Sequence, residues 1–198
     1  ELDAVDRFAR VQAGVVNVDL TRLCQHEQLL YAPDPSSQMA CTIGGNVAEN
    51  SGGVHCLKYG LTVHNVLAVR AITMEGDVVE LGSAALDAAG LDLLAVLIGS
   101  EGMLAVVTEV TVKLVPKPQV ARCIMASFAQ VDQAGDAVAA VIAAGLIPAG
   151  LEMMDQAAVR MVEPYAQAGY DIDAAALLLC EADGTAAEVE DDIARMSA

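Results

Sequence analysis

The chain has 198 residues, 55% of them hydrophobic, and its ten Lys and Arg stand against 27 Asp and Glu for a formal charge of -17. Such a balance repels phosphate backbones and anionic membrane surfaces, and with no Trp, four Tyr and two Phe the chain offers few platforms for stacking bases, so no nucleic-acid partner is expected. The apolar fraction is ample for a packed core, and the acidic residues read as a solvated surface that keeps it soluble.

The chain opens Glu1-Leu2-Asp3 with no basic and apolar leader, so it is expected to start in mid-fold. Arg7 to Gln12 alternates as a strand before a turn at Gly14, and Asp19 or Thr21 is expected to cap a short helix to about Gln28. Pro33-Asp34-Pro35-Ser36-Ser37 cannot continue a helix and is expected to be an ordered or functional loop. Thr42 to Asn50 reads as a Gly-rich entry into a short helix ended by Ser51-Gly52-Gly53.

Val66 to Met74 and Val78 to Leu81 are β-rich runs joined by Glu75-Gly76-Asp77, a hairpin signal. Asp92 to Leu97 suits a short helix, and Leu104 to Val115 a strand closed by Pro116-Lys117-Pro118, where a domain is expected to end. Beyond it a β-α-β pattern is expected: a strand at Ala121 to Phe128, a helix from Asp132 (as cap) to Ala144, and a strand at Leu151 to Met153. A helix from Asp155 up to Pro164, a strand at Ala175 to Cys180 and a capping box at Thr185 to Glu188 complete the reading.

No apolar run approaches the roughly 20 residues of a membrane span; the most apolar stretch, Leu91 to Val107, is broken at Gly99-Ser100-Glu101-Gly102. The five cysteines are widely spaced, odd in number and lack a C-x-x-C pair, which favours a reduced, cytoplasmic setting over a disulfide framework. His55, Cys56 and His64 read as structural residues, so no metal site is expected.

Gly44-Gly45 at a helix start lets backbone N–H groups approach a ligand, although the motif is not the G-x-G-x-x-G of a nicotinamide fold. The combination is more specific: a Pro-Ser loop, Thr42-Ile43-Gly44-Gly45-Asn46, Glu49-Asn50-Ser51-Gly52-Gly53, Tyr59-Gly60, then Gly99-Ser100-Glu101-Gly102 and Thr108. In order and spacing it resembles the PCMH-type FAD-binding domain of the vanillyl-alcohol-oxidase family, in its branch of FAD-linked 2-hydroxy-acid dehydrogenases. Val54 to Asn65 and Gly150 to Asp155 resemble the subfamily of bacterial glycolate oxidase flavin subunits.

The resemblance implies an α+β fold: residues 1–118 as the later part of the FAD-binding domain and residues 119–198 as the start of a ferredoxin-like cap domain. It implies FAD as cofactor, with Pro35, Ser36 and Ser37 lining its pocket and Thr42, Gly44 and Gly45 facing it with backbone and hydroxyl donors. Asn50, Ser51 and Gly52 match a second contact segment, and Glu101, Gly102, Val106 and Val107 the segment near the adenine half. Each has a plainer alternative: Gly52 as a helix stop, Val106 and Val107 as core, Ser36 and Ser37 as turn residues, Glu101 as a solvated carboxylate. Tyr59, the methionines and Cys41 read as packing residues.

In this likeness the Gly-rich loop gripping the pyrophosphate lies upstream of Glu1 and the His-rich catalytic and metal-binding segments lie downstream of Ala198, so no catalytic residue is named. Ala105 stands where relatives place Gly. The implied activity is oxidation of a small 2-hydroxy acid, glycolate to glyoxylate, in a complex with a second FAD-domain subunit and an iron-sulfur subunit, peripheral to the inner membrane through them. The rivals are a D-lactate or D-2-hydroxyglutarate dehydrogenase and, in another class, a non-catalytic fragment or interaction module. By itself the chain is expected to be inactive and without flavin, with exposed apolar faces able to drive a dimer.

Overall fold

A computed structural model describes residues 1–83 and 90–197, which fall into two compact units, Glu1–Lys117 and Pro118–Ala198. The first contains β1 (Leu2–Asp3), β2 (Phe8–Gln12), α1 (Asn17–Cys24), β3 (Leu29–Leu30), α2 (Ile43–Glu49), α3 (Cys56–Tyr59), α4 (Thr62–Asn65), β4 (Val66–Thr73), β5 (Val78–Gly82), α5 (Leu93–Leu97), β6 (Ala105–Lys113) and β7 (Val115–Pro116). The second contains β8 (Val120–Phe128), α6 (Val131–Ala143), β9 (Gly150–Asp155), α7 (Gln156–Ala166), β10 (Ala176–Gly184) and α8 (Ala186–Met196).

The main sheet of the first unit is antiparallel in the order β1-β2-β6-β4-β5, so β6 lies at its middle, with Val110 opposite Val11 on one side and Val69 on the other. Branched side chains suit that position, where both neighbours crowd the pleat. Ile43 and Val47 of α2 are fully buried in one cluster with Val110, Val112 and Leu20 of α1. The β4–β5 hairpin turns at Gly76, whose φ of 88° is the left-handed geometry that glycine adopts freely. Facing β4, β6 skips a residue: Arg70 pairs with Glu109 and Ala71 with Val107, leaving Thr108 as a bulge whose hydroxyl donates to Arg70 O at 3.0 Å.

Two cap expectations are corrected. Helix α1 starts at Asn17 with no side-chain cap, because the loop ahead of α2 supplies carbonyls instead: Asn17 N–H donates to Cys41 O and Val18 N–H to Gln38 O. Asp19 lies in the first turn, and the Thr21 hydroxyl donates to Tyr31 O. Likewise α6 starts at Val131 behind Gln130, with Asp132 in its first turn, where a carboxylate complements the helix dipole without capping.

In the second unit an antiparallel sheet in the order β8-β10-β9 carries the helices. Leu177 of the central strand is fully buried with Val159 of α7, and Val189 of α8 is buried as well. The expected capping box at Thr185 forms, with Glu188 N–H donating to Thr185 Oγ1 and Thr185 N–H to the Glu188 carboxylate at 2.9 Å. Helix α7 continues past Pro164 to Ala166, against expectation. Its last turn is secured from outside, since the Glu163 carboxylate accepts from the N–H groups of Ala168, Gly169 and Tyr170 at 3.1, 2.9 and 3.2 Å. Those bonds hold the chain after Gln167, which closes the helix in left-handed geometry.

Tyr31 is 2% exposed and its hydroxyl has no partner of hydrogen-bonding geometry. Burial is the main cause pushing its phenol well above the ordinary value of 10.0, with the nearby Thr62 hydroxyl opposing and Cys41 adding. The folded state therefore holds this proton more tightly than the unfolded chain, so the associated stability is present below pH 10 and is lost as pH rises. Tyr31→Phe, which removes an unpaired buried hydroxyl, is expected to leave stability at neutral pH unchanged or raised and to lessen the decline above about pH 10, as read from urea unfolding midpoints across pH.

Candidate functional site

Helix α2 enters the first unit across the turn that follows β2, and the approach is very close. Gly44 N–H donates to Ala13 O at 2.8 Å, Ile43 N–H to Val15 O at 2.8 Å, and a Cβ on Gly44 would stand 2.6 Å from the Ala13 Cβ. Thr42 caps the helix by accepting from Gly45 N–H, and Asn46 N–H goes to Thr42 O. At the other end Asn50 closes α2 in left-handed geometry with φ of 51°. The Gly99 to Gly102 loop docks there, with Gly99 N–H on Val47 O at 2.8 Å and Glu101 N–H on Ala48 O at 2.9 Å. Glu101 itself has φ of 54°, a costly geometry for a residue with a Cβ.

Between the two docked loops lies a cleft of about 370 Å³. It is lined by α2, from Thr42 through Gly44, Gly45 and Val47 to Ala48, by β6 at Ala105, Val106 and Val107, and by Ala13, Gly14, Leu97, Ser100 and Gly102. Among the described residues no charged side chain lines it, and the Thr42 and Ser100 hydroxyls are the side-chain polar groups of that lining. The arrangement suits a flat, largely apolar ring with a few polar edge contacts.

Six residues singled out in the sequence therefore meet in one cleft: Thr42, Gly44, Gly45, Gly102, Val106 and Val107. Pro35, Ser36, Ser37, Asn50, Ser51, Gly52 and Glu101 are not part of its lining. The N–H groups of Gly44 and Gly45, expected to face the cofactor, donate here to Ala13 O and Thr42 Oγ1. What these glycines supply is space. The sequence reading assigns none of the other seven lining residues to the site, namely Ala13, Gly14, Val47, Ala48, Leu97, Ser100 and Ala105, although Gly14 reads as a turn and Ser100 and Ala105 lie near Gly102 in the sequence. Asn50 and Ser51 instead brace the neighbouring segment: Asn50 Oδ1 accepts from Val63 N–H at 2.9 Å, and Ser51 O accepts from the Thr62 hydroxyl at 2.7 Å. Among the described residues no group of three or more His, Cys, Asp or Glu could hold a metal ion, and no helix is long and apolar enough to cross a membrane.

Residues 1–82 match the FAD binding domain family and residues 117–198 the C-terminal domain family of FAD linked oxidases. The chain is 57% identical over 197 residues to glycolate oxidase subunit GlcD of Escherichia coli (strain K12), covering 100% of this chain and 40% of that protein. It is 43% identical to GlcD of Bacillus subtilis (strain 168) over 199 residues, 100% of this chain and 42% of the relative. A D-lactate dehydrogenase of Anaerostipes hadrus is 33% identical, at 96% and 42% coverage. The chain thus spans about two fifths of the curated relatives it matches. A solved structure of alkyldihydroxyacetonephosphate synthase superposes with a TM-score of 0.83 at 22% identity, over 100% of this chain and 38% of that one, a likeness of fold.

The cleft fits the ring portion of FAD on its own geometry: Gly14 and Gly102 have nothing within 4 Å of where a Cβ would stand, and Gly45 has only Thr42 Oγ1 at 3.3 Å. The same glycines separate packing from binding. Gly44→Ala is expected to destabilise the first unit by about 1–3 kcal/mol through its collision with Ala13, whereas Gly45→Ala is expected to stay within about 1 kcal/mol of the parent; thermal unfolding of the two variants reads the difference. The first unit thus carries a match to the FAD binding domain family and the second unit a match to the C-terminal domain family of FAD linked oxidases.

Proposed function

We propose that the chain is the flavin-holding segment of a FAD-dependent 2-hydroxy-acid dehydrogenase subunit that converts glycolate to glyoxylate, with residues 1–118 completing the FAD-binding domain and residues 119–198 opening the substrate-side cap. The observation that carries this reading is the 57% identity with a glycolate oxidase subunit along the whole chain, against 33% for a D-lactate dehydrogenase. D-lactate and D-2-hydroxyglutarate are the rival substrates.

The chemistry that bound FAD supplies is two-electron acceptance at its ring. In the cleft, α2 and Val106 and Val107 exclude water from a flat part of the dinucleotide, Gly45 and Gly102 let it approach the backbone, and the Thr42 hydroxyl, which accepts from Gly45 N–H, keeps its own proton to donate. Pro35, Ser36 and Ser37 line the flavin, Asn50, Ser51 and Gly52 form a second contact segment, and Glu101 stands with the segment at the adenine half. Electrons leave the subunit through a second FAD-domain subunit and an iron-sulfur subunit, which hold the assembly at the inner membrane.

Anaerobic addition of glycolate, D-lactate and D-2-hydroxyglutarate to the full-length subunit is expected to bleach the flavin fastest with glycolate; bleaching by a bulkier acid alone would reassign the substrate, and a preparation without flavin would reject the reading. Gly45→Leu, which places a branched side chain in the cleft, is expected to abolish flavin retention while circular dichroism stays that of the parent.

A further inference from the structure

The Pro33 to Ser37 loop carries one side chain whose placement packing alone does not explain. Asp34 sits between two buried prolines, and its Oδ2 lies 2.5 Å from Nδ1 of His55, the residue that precedes α3. Both side chains are largely buried, at 21% and 26% exposure. The other carboxylate oxygen, Oδ1, is buried with no hydrogen-bond partner. Leaving a carboxylate oxygen unpaired away from water is costly, and such an arrangement persists where the surrounding structure imposes it.

The surroundings do impose it. A Cβ on Gly53 would collide with Asp34 Oδ1 and with the Asp34 carbonyl, so the two backbones touch where glycine alone fits. The loop is tied at its entry by the Asn17 side-chain amide, which donates to Pro33 O at 2.9 Å, and at its exit by Asn17 N–H on Cys41 O. The His55 ring is held in turn by Tyr59, edge to face at 6.5 Å between centroids. The Asp34–His55 bond thus joins the Pro35 to Ser37 segment to the Asn50 to Gly53 segment through side chains 21 residues apart in sequence.

We infer that Asp34 and His55 are a positioning pair that sets these two segments at the spacing flavin binding requires; the inference rests on the reading above that Pro35 to Ser37 contact the flavin. A carboxylate that accepts from an imidazole fixes both the loop and the ring, as supporting hydrogen bonds fix ligand-contacting groups elsewhere. Neither residue touches the reacting atoms.

The test uses the full-length FAD subunit stripped of flavin, with FAD dissociation constants, the visible flavin spectrum when bound, and the unfolding temperature of the apoprotein measured in parallel. Asp34→Asn and His55→Leu are expected to weaken FAD binding at least tenfold with a shifted flavin spectrum, and the double variant to be no worse than either single one. His55→Asn, which restores a donor near the Nδ1 position, is expected to recover most of the affinity. The Ser36→Ala, Ser37→Ala double variant separates the two readings. If it weakens FAD binding while Asp34→Asn and His55→Leu do not, the pair is overturned and the loop contact stands; if no variant changes affinity or spectrum, the loop contact itself is overturned. Affinity losses that simply follow a lower apoprotein unfolding temperature, with no rescue by Asn, would also overturn the pair.

Discussion

The first unit depends on a contact made by the absence of a side chain. Gly44 brings the start of α2 against the turn after β2, where Ala13 O takes its N–H and a methyl group on Gly44 would collide with that of Ala13. Once that contact is made, the helix lies across the middle strand β6 with Ile43 and Val47 in the core, and its far end is in place to receive Gly99 and Glu101. The cleft is the space these contacts leave between helix and strand, so its shape is a property of backbone docking more than of the side chains that line it.

The same contact changes what the Gly-Gly start can offer a ligand. A helix beginning with two glycines suggests a set of free N–H groups aimed at an anion, but here each of the first donors ends on Val15 O, Ala13 O, Thr42 Oγ1 or Thr42 O. The described lining of the cleft is accordingly largely apolar. The chain's acidic surplus raises no conflict with this, because no carboxylate among the described residues lines the wall.

What the sequence revealed and what it hid follow from the range of the interactions. The hairpin at Gly76 and the capping box at Thr185 are local, and residues within a few positions of one another specify them. The two-residue pairing of β3 with β7 and the single-turn helices α3 and α4 are too short to show a period. The missing cap of α1 was illegible for another reason: its partners, Gln38 and Cys41, arrive from a loop further along the chain. Likewise the glycines and valines of the cleft could be picked out in sequence, whereas Ala13, Ala48 and Leu97 join them only through the tertiary docking of ordinary apolar residues.

The strand order carries a consequence for how the unit comes into being. Strand β2 pairs with β6, placing Phe8 opposite Lys113, so the sheet joins the two ends of the unit while the β4–β5 hairpin can form early and alone. Closing so long a loop is slow relative to local pairing, because its entropy is lost before the contacts that reward it appear. Because the cleft is lined by Ala13 and Gly14 as well as by Val106 and Val107, a growing chain has no cleft until β6 has been synthesised and has found β2. Completion of the cleft is therefore a late event in the life of the nascent polypeptide, and the early hairpin carries an unpaired β4 edge until β6 arrives.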